Sequence, residues 1–290
     1  MKKLLLLGIS LLLFVNVMAK DVVVGAKMFT EGYVVSNLIS ELLKKDGFNV
    51  KENFGMSSFP LRKAQETGQI DIYPEYTGTA WGAYFKKKEL IKNPKKLYEE
   101  VKKLDYQKNK LVWLDMINVN NTYALAIRKD FAKKYNLKSL TDLANLIKVN
   151  KKIKFGINPE FYKRADGFWA MAKHYKMKIK RNEVKLMDAG IVYQAVASKK
   201  IDVAMAYSTD AKIKKYNLKV LKDDSSFFPY YNLAVVVREE TLKKYPEIRE
   251  DLKVLSDKLT EEDLIDLNYK VDVEGKEPKE VAKWYLKNKM

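Results

Sequence analysis

The chain contains no cysteine and a single histidine. Without cysteine there can be no disulfide, no thiolate metal site, no cysteine nucleophile and no lipid carried on an N-terminal cysteine. The one histidine, His174, lies in Met171-Ala172-Lys173-His174-Tyr175, a helical pattern with no partner motif around it. Also missing are a Gly-x-Ser-x-Gly turn, a phosphate-cradling loop and any metal-ligand spacing. Carboxylate pairs such as Asp71 and Glu75 exist, but 37 acidic residues make pairs inevitable. The residues give catalysis no support, so the expectation is a protein that is not an enzyme and needs no cofactor or metal. No repeat, Gly/Ser linker or low-complexity tract interrupts the sequence, and after the first residues no run approaches 18 apolar residues.

The N-terminal segment has its own pattern. Met1-Lys2-Lys3 precedes an apolar run from Leu4 to Val15, followed by Val17-Met18-Ala19. A short positive region, about a dozen apolar residues and a small residue before a cut are the parts of a secretory signal peptide. The run is too short for a comfortable transmembrane helix. Residues 1–19 are therefore expected to be a cleaved signal, leaving a soluble periplasmic chain with no cysteine to anchor it. Loss of Lys2 and Lys3 lowers the formal charge from +18 to +16. Such a charge raises the question of nucleic acid. The lysines are scattered, however, as in Lys86-Lys87-Lys88, Lys95-Lys96 and Lys133-Lys134, with acidic residues between them and no recognition motif beside them. Solvated helix faces account for them, and no nucleic-acid partner is expected.

Short β-branched apolar runs alternate with helical patterns. Strands are predicted at Asp21–Gly25, Asn49–Phe54, Ile70–Tyr73, Leu111–Ile117, Tyr123–Arg128, Ile153–Ile157, Glu183–Met187, Asp202–Tyr207, Lys219–Leu221 and Leu233–Arg238. Thr30 reads as the N-cap of a helix running to Lys45, and Phe59 to Thr67 as a short helix ended by Gly68. This order predicts α/β layers with mainly parallel sheets. A two-domain chain without a flexible linker can join its halves through paired strands. Candidate hinges are Asn118–Tyr123 and Pro229–Asn232, which combine Asn or Pro with tyrosines.

There are 18 tyrosines, and several stand where a strand runs into a turn. Tyr73 and Tyr76 flank Pro74-Glu75, Tyr123 follows Asn120-Asn121-Thr122, Tyr207 ends Met205-Ala206-Tyr207, and Tyr230-Tyr231 follow Phe227-Phe228-Pro229. Ligand contacts in an open α/β cleft gather at strand carboxyl ends, although strand-terminal tyrosines equally serve as core plugs.

Several segments resemble the substrate-binding proteins of osmoprotectant ABC importers, the glycine betaine/choline/carnitine group of the OpuC and OsmF type. They are Gly25-Ala26-Lys27-Met28-Phe29-Thr30-Glu31, then Gly68 through Thr79, Asn121-Thr122-Tyr123-Ala124-Leu125-Ala126, Pro159 through Gly167, Tyr207-Ser208-Thr209-Asp210, Phe227 through Tyr231, and Leu267 through Lys276. The match is collinear and covers essentially the whole chain after residue 19; Gly68–Thr79 is its most specific piece. The resemblance implies a two-lobe periplasmic binding protein (a type II clamshell) with a discontinuous first lobe, residues 20–120 and 231–290, a second lobe at 121–230, and a ligand cleft between them. It implies a monomer that delivers a small quaternary-ammonium ligand to a permease and ATPase in the inner membrane. The implied cage is Tyr76, Tyr123, Tyr207 and Tyr231, with Tyr230 competing for the last place because the family often has Pro-Pro-Tyr there. Lys27, Thr79 and Arg164 are the implied partners of a ligand carboxylate.

The chemistry of such a ligand suits these residue types. A quaternary ammonium has no N–H to donate, so aromatic faces recognise it, each good contact contributing about 0.5–2 kcal/mol. Departures from the family pattern bear on selectivity. Gly32 stands where relatives often have Gln, which predicts extra room near the pocket. Gly55-Met56-Ser57-Ser58 replaces a Gly-Gly-Thr loop, bringing Ser57 and Ser58 toward the cleft. A bulkier betaine such as carnitine or ergothioneine, an amino acid, or a role as a cationic surface protein remain alternatives.

Overall fold

The computed structural model describes residues 20–149 and 152–290; the segment predicted to be a signal peptide lies outside the described residues. Ten strands form two five-stranded sheets. The first takes β1 (Lys20–Lys27), β2 (Phe48–Met56), β3 (Ile72–Tyr76), β4 (Leu111–Asn120) and β10 (Asn232–Arg238), in the order β2-β1-β3-β10-β4. The second takes β5 (Tyr123–Arg128), β6 (Phe155–Ile157), β7 (Val184–Leu186), β8 (Val203–Tyr207) and β9 (Leu218–Leu221), in the order β7-β6-β8-β5-β9. Helices pack around both, giving a two-lobe α/β fold.

The sheets are mixed, not mainly parallel. β1 pairs in parallel with β2 and β3, and β6 with β7 and β8. In contrast β10 is antiparallel to β3 and β4, and β5 to β8 and β9. The antiparallel pairs arise where the chain changes sheet. β4 passes into β5 through Asn121 and Thr122 alone, and the chain returns from β9 to β10. A strand arriving from the other lobe runs against its new neighbours, which no local sequence pattern encodes.

β3 extends to Tyr76, past the predicted end at Tyr73. Its Pro74 is tolerated because β1 meets β3 only at Ile72, so no neighbour on that side needs the missing N–H. Thr30 is not a cap: Phe29 holds the N-cap position of the helix Thr30–Lys45 without a side-chain hydrogen bond, and the Thr30 hydroxyl donates instead to Asp272 (2.8 Å). Under the first sheet, the guanidinium of Arg62 grips the buried carboxylate of Asp105 with two nitrogens, and the Trp113 indole N–H donates to the same carboxylate (2.8 Å). Arg62→Met leaves that charge without a counter-ion and is expected to cost about 3–5 kcal/mol in urea unfolding; adding Asp105→Leu should recover part of the loss.

Candidate functional site

The two crossings lie side by side. The Asn121 N–H donates to the Tyr231 carbonyl (3.1 Å), and the Tyr231 N–H to Asn120 Oδ1 (2.7 Å). This brings four strand ends to one place. Tyr123 and Tyr207 are direct cross-strand partners in the second sheet, and their ring centroids stand 5.1 Å apart. Tyr231 meets Tyr123 edge-on at 5.6 Å. Phe29, at the end of β1, touches Tyr207 at 5.3 Å and Tyr76 at 6.2 Å. Tyr76, Phe29, Tyr207, Tyr123 and Tyr231 thus form one contiguous aromatic arc lining a cavity of about 740 Å³.

Gly78 explains part of this placement. A Cβ there would lie 2.7 Å from two ring carbons of Tyr231, so glycine lets that ring enter the arc. Tyr230 lies outside the cavity and is 38% exposed; adjacent residues of an extended segment face opposite ways. Burial pushes the phenols of Tyr76, Tyr123, Tyr207 and Tyr231 well above the usual range, so all four are neutral rings. Behind the arc, Phe161 stacks on Tyr123 at 4.4 Å, and Asn158 Nδ2 donates to the Tyr207 hydroxyl (3.2 Å).

The polar candidates lie against the arc: the Lys27 ammonium stands 5.2 Å from the Tyr76 ring centroid and the Arg164 guanidinium 5.5 Å from that of Tyr123. Lys27 lines it, but its ammonium is bound to buried Glu75 at 2.5 Å. Glu75 also accepts from Tyr73 (3.0 Å) and Tyr84 (2.7 Å), so the Lys27 charge is already met. Thr79 is buried on a single helical turn and faces the cavity. Arg164 is buried, with Nε and Nη2 on Asp166 (2.9 and 2.6 Å). Its Nη1 stands 3.7 Å from Glu160 and makes no hydrogen bond. A buried guanidinium donor without a hydrogen-bond acceptor is rare in a folded protein, and here its residue lines a cavity. Ser57 and Ser58 line the same space, with Met56, Glu160 and Asp188.

Sequence reasoning singled out neither Phe29, Asn158 nor Glu160 as site residues. It also expected room from Gly32, and the structure corrects that. Gly32 does not line the cavity; a Cβ there would approach the Lys27 carbonyl to 2.7 Å, so glycine serves close packing of the helix on β1.

The two lobes touch around the cavity. The Ser58 N–H donates to Glu160 (3.1 Å), and a Cβ on Gly82 would overlap the Asp166 carboxylate. Gly82→Ala is therefore expected to hold the lobes apart, which distances between spin labels on the two lobes would report. Beyond the arc, Asp210 accepts from the Tyr193 hydroxyl and the Tyr207 N–H. Burial raises its pKa from 3.8 to about 7, with the Asp272 and Glu31 charges adding to the rise. Between pH 4 and 7 the folded state keeps a proton that the unfolded chain releases. This group's contribution to stability therefore falls as pH rises through that window and is flat above it. In Asp210→Asn, the difference in urea midpoint between pH 5 and pH 8 should change by that contribution; an unchanged difference would remove Asp210 as its source.

Among the described residues no helix is long and apolar enough to cross a membrane, and no group of three His, Asp or Glu could hold a metal. Residues 20–288 match the family model described as the substrate binding domain of ABC-type glycine betaine transport system. The chain is 38% identical over 272 residues to the ergothioneine transport permease/ergothioneine binding protein of Helicobacter pylori, covering 92% of this chain and 47% of that protein, so the chain spans about half the length of this relative. It is 35% identical over 275 residues to a glycine-betaine-binding protein of Pseudomonas aeruginosa, covering 93% of this chain and 88% of that one. A crystal structure titled glycine betaine/carnitine/choline ABC transporter superposes with a TM-score of 0.73 at 32% identity, covering 92% of this chain and 98% of that chain. On a match of this extent, the chain belongs to the substrate-binding domains of ABC-type glycine betaine transport systems.

Proposed function

We propose that the cavity captures a zwitterionic quaternary-ammonium compound and that the chain hands it to an ABC permease. The trimethylammonium head sits among Tyr76, Tyr123, Tyr207, Tyr231 and Phe29. Neutral rings attract it through their quadrupoles without the cost of a buried, poorly paired carboxylate. The carboxylate end turns to Arg164, with Thr79 beside it. The observation that carries this reading is the aromatic arc together with the buried Arg164 guanidinium lining the same cavity, its Nη1 making no hydrogen bond. In this reading residues 1–19 are removed on export, the protein acts as a periplasmic monomer without catalysis, and its lobes are 20–120 with 231–290, and 121–230. The ligand draws the lobes together, shifting an open–closed equilibrium.

A bulkier betaine is the second reading, and cavity size favours it. About 740 Å³ lies in the range of sites for drug-sized ligands, well beyond what a single glycine betaine fills. Ser57, Ser58, Glu160 and Asp188 offer polar contacts for a longer body such as that of carnitine or ergothioneine.

Thermal shift of residues 20–290 with glycine betaine, choline, carnitine, proline betaine, ergothioneine and control amino acids tests both readings. A ligand at 100 times its Kd adds about 2.7 kcal/mol, or roughly 5 °C for a chain of this size. A shift confined to quaternary-ammonium compounds is expected, and the compound with the largest shift distinguishes the readings. No shift with any of them, in folded ligand-free protein, would overturn the assignment. Tyr76→Ala with Tyr207→Ala should abolish the shift. Arg164→Gln should weaken glycine betaine about tenfold or more and choline far less, because choline has no carboxylate.

A further inference from the structure

A carboxylate lies beneath the aromatic arc that the ligand reading leaves unused. Glu31, in the first turn of the helix Thr30–Lys45, is completely buried. Its Oε1 accepts from the Tyr76 hydroxyl (2.6 Å) and Asn121 Nδ2 (2.9 Å). Its Oε2 accepts from the Thr209 hydroxyl (2.6 Å) and Asn268 Nδ2 (3.2 Å). These donors come from four separate parts of the chain. Tyr76 is itself an arc ring. Asn121 stands two residues before Tyr123, in the crossing between the sheets. Thr209 stands two residues after Tyr207, at the end of β8. Asn268 belongs to the helix Glu261–Asp272. One side chain therefore binds one cage tyrosine and the backbone segments that carry two others, drawn from both sheets.

We propose that Glu31 is the positioning residue of the aromatic site, fixing the spacing of Tyr76, Tyr123 and Tyr207 so that a cationic head fits among them. The argument rests on satisfiability. Four donors converge on one group, and only an ionised carboxylate accepts from all of them; a glutamine in the same place would turn an NH2 toward two donors. A buried carboxylate costs several kcal/mol unless a counter-ion or excellent hydrogen bonding compensates it. Glu31 makes no ion pair among the described residues, unlike Glu75 with Lys27 or Asp105 with Arg62. Its four neutral donors supply the compensation, and the Lys27 ammonium stands over the ring of Tyr76, 5.2 Å from its centroid. The acidic residue is thus kept where it orients the rings without touching the ligand.

A second contact supports the same junction. Asp272 Oδ1 accepts from Thr30 (2.8 Å) and from Lys212 Nζ (2.6 Å). This pins the first turn of the Glu31 helix and the segment after Thr209 to one carboxylate.

This inference rests on the ligand reading above, and its test separates the two. Affinity and dissociation rate are measured with glycine betaine, choline, carnitine and ergothioneine for wild type, Glu31→Gln, Thr209→Val, Thr209→Ser and Tyr76→Phe. Melting of each ligand-free protein is recorded alongside. Thr209→Val keeps the side-chain volume and removes one donor to Glu31. It should weaken the preferred ligand about tenfold, mainly through faster dissociation, at a temperature where the ligand-free variant is fully folded; its melting should also fall, because buried Glu31 is left one donor short. Thr209→Ser restores the hydroxyl and should restore the affinity; a purely structural role would lower the melting of Thr209→Val and leave the affinity of its folded form unchanged. Glu31→Gln should lose more than Thr209→Val. Tyr76→Phe should lose less than Tyr76→Ala, because the ring remains. If wild type binds a ligand and Thr209→Val and Glu31→Gln bind it equally well, the positioning role is overturned and the ligand reading stands. If wild type binds none of the four, the ligand reading falls and this inference falls with it.

Discussion

Two chain crossings, pinned to each other by one backbone hydrogen bond and one to the Asn120 side chain, are the constraint on which the rest of the site depends. Asn120 and Asn121 on one crossing bind Tyr231 on the other, and Asn232 sits opposite Asn120 in the sheet register. Because β4 and β5 are separated by two residues, the first sheet ends where the second begins. Strand ends that belong to different sheets are thereby held within ring-contact distance. The aromatic arc is a consequence: Tyr123 and Tyr231 sit on the crossings, Tyr207 pairs across from Tyr123, and Phe29 with Tyr76 approach from the first sheet. Moving the crossings by one residue would turn alternate side chains away from the cavity.

The electrostatics follow a division of labour. The chain is strongly basic, yet its buried charges near the cavity are individually accounted for: Lys27 by Glu75, Arg164 by Asp166, and Glu31 by four neutral donors. The cavity is therefore lined by neutral aromatic rings with the Arg164 guanidinium against Tyr123, and by the charged side chains Lys86, Lys163, Glu160 and Asp188. Most exposed lysines contribute a diffuse field that solvent and salt screen within about 10 Å, while Lys86 and Lys163 line the cavity itself.

Much of this organisation can be read from the amino acids. All ten strands fall on segments predicted as strands, with ends displaced by a few residues, because an apolar run bounded by turn residues is a local property. Strand direction is not local, and so the mixed character of both sheets could not be read. Tyr76, Tyr123, Tyr207 and Tyr231 stood out because each marks a strand end within a recognisable segment. Tyr230 and Tyr231 could be separated only by the side of an extended backbone each one faces. Glu31 looked like any other acidic residue in a first helical turn, where glutamate is ordinary. Its burial comes from Asn121, Thr209 and Asn268, up to 237 residues away in sequence. Gly32 misled for a related reason: its neighbour is the Lys27 carbonyl, and no sequence pattern distinguishes a glycine that opens a pocket from one that admits a backbone.

The polar lining of the cavity and the contact between the lobes use the same residues. Glu160 receives the Ser58 N–H from across the cleft and also lies 3.7 Å from Arg164. Asp166 holds Arg164 by two hydrogen bonds and also packs where Gly82 leaves no side chain. A carboxylate arriving at Arg164 Nη1 would therefore join a cluster whose other members already reach the first lobe. Charge-assisted hydrogen bonds tighten when their surroundings are dry, and closing the lobes is what dries them. In the proposed reading, the strength of ligand binding would thus follow the closed arrangement, without requiring any contact that serves closure alone.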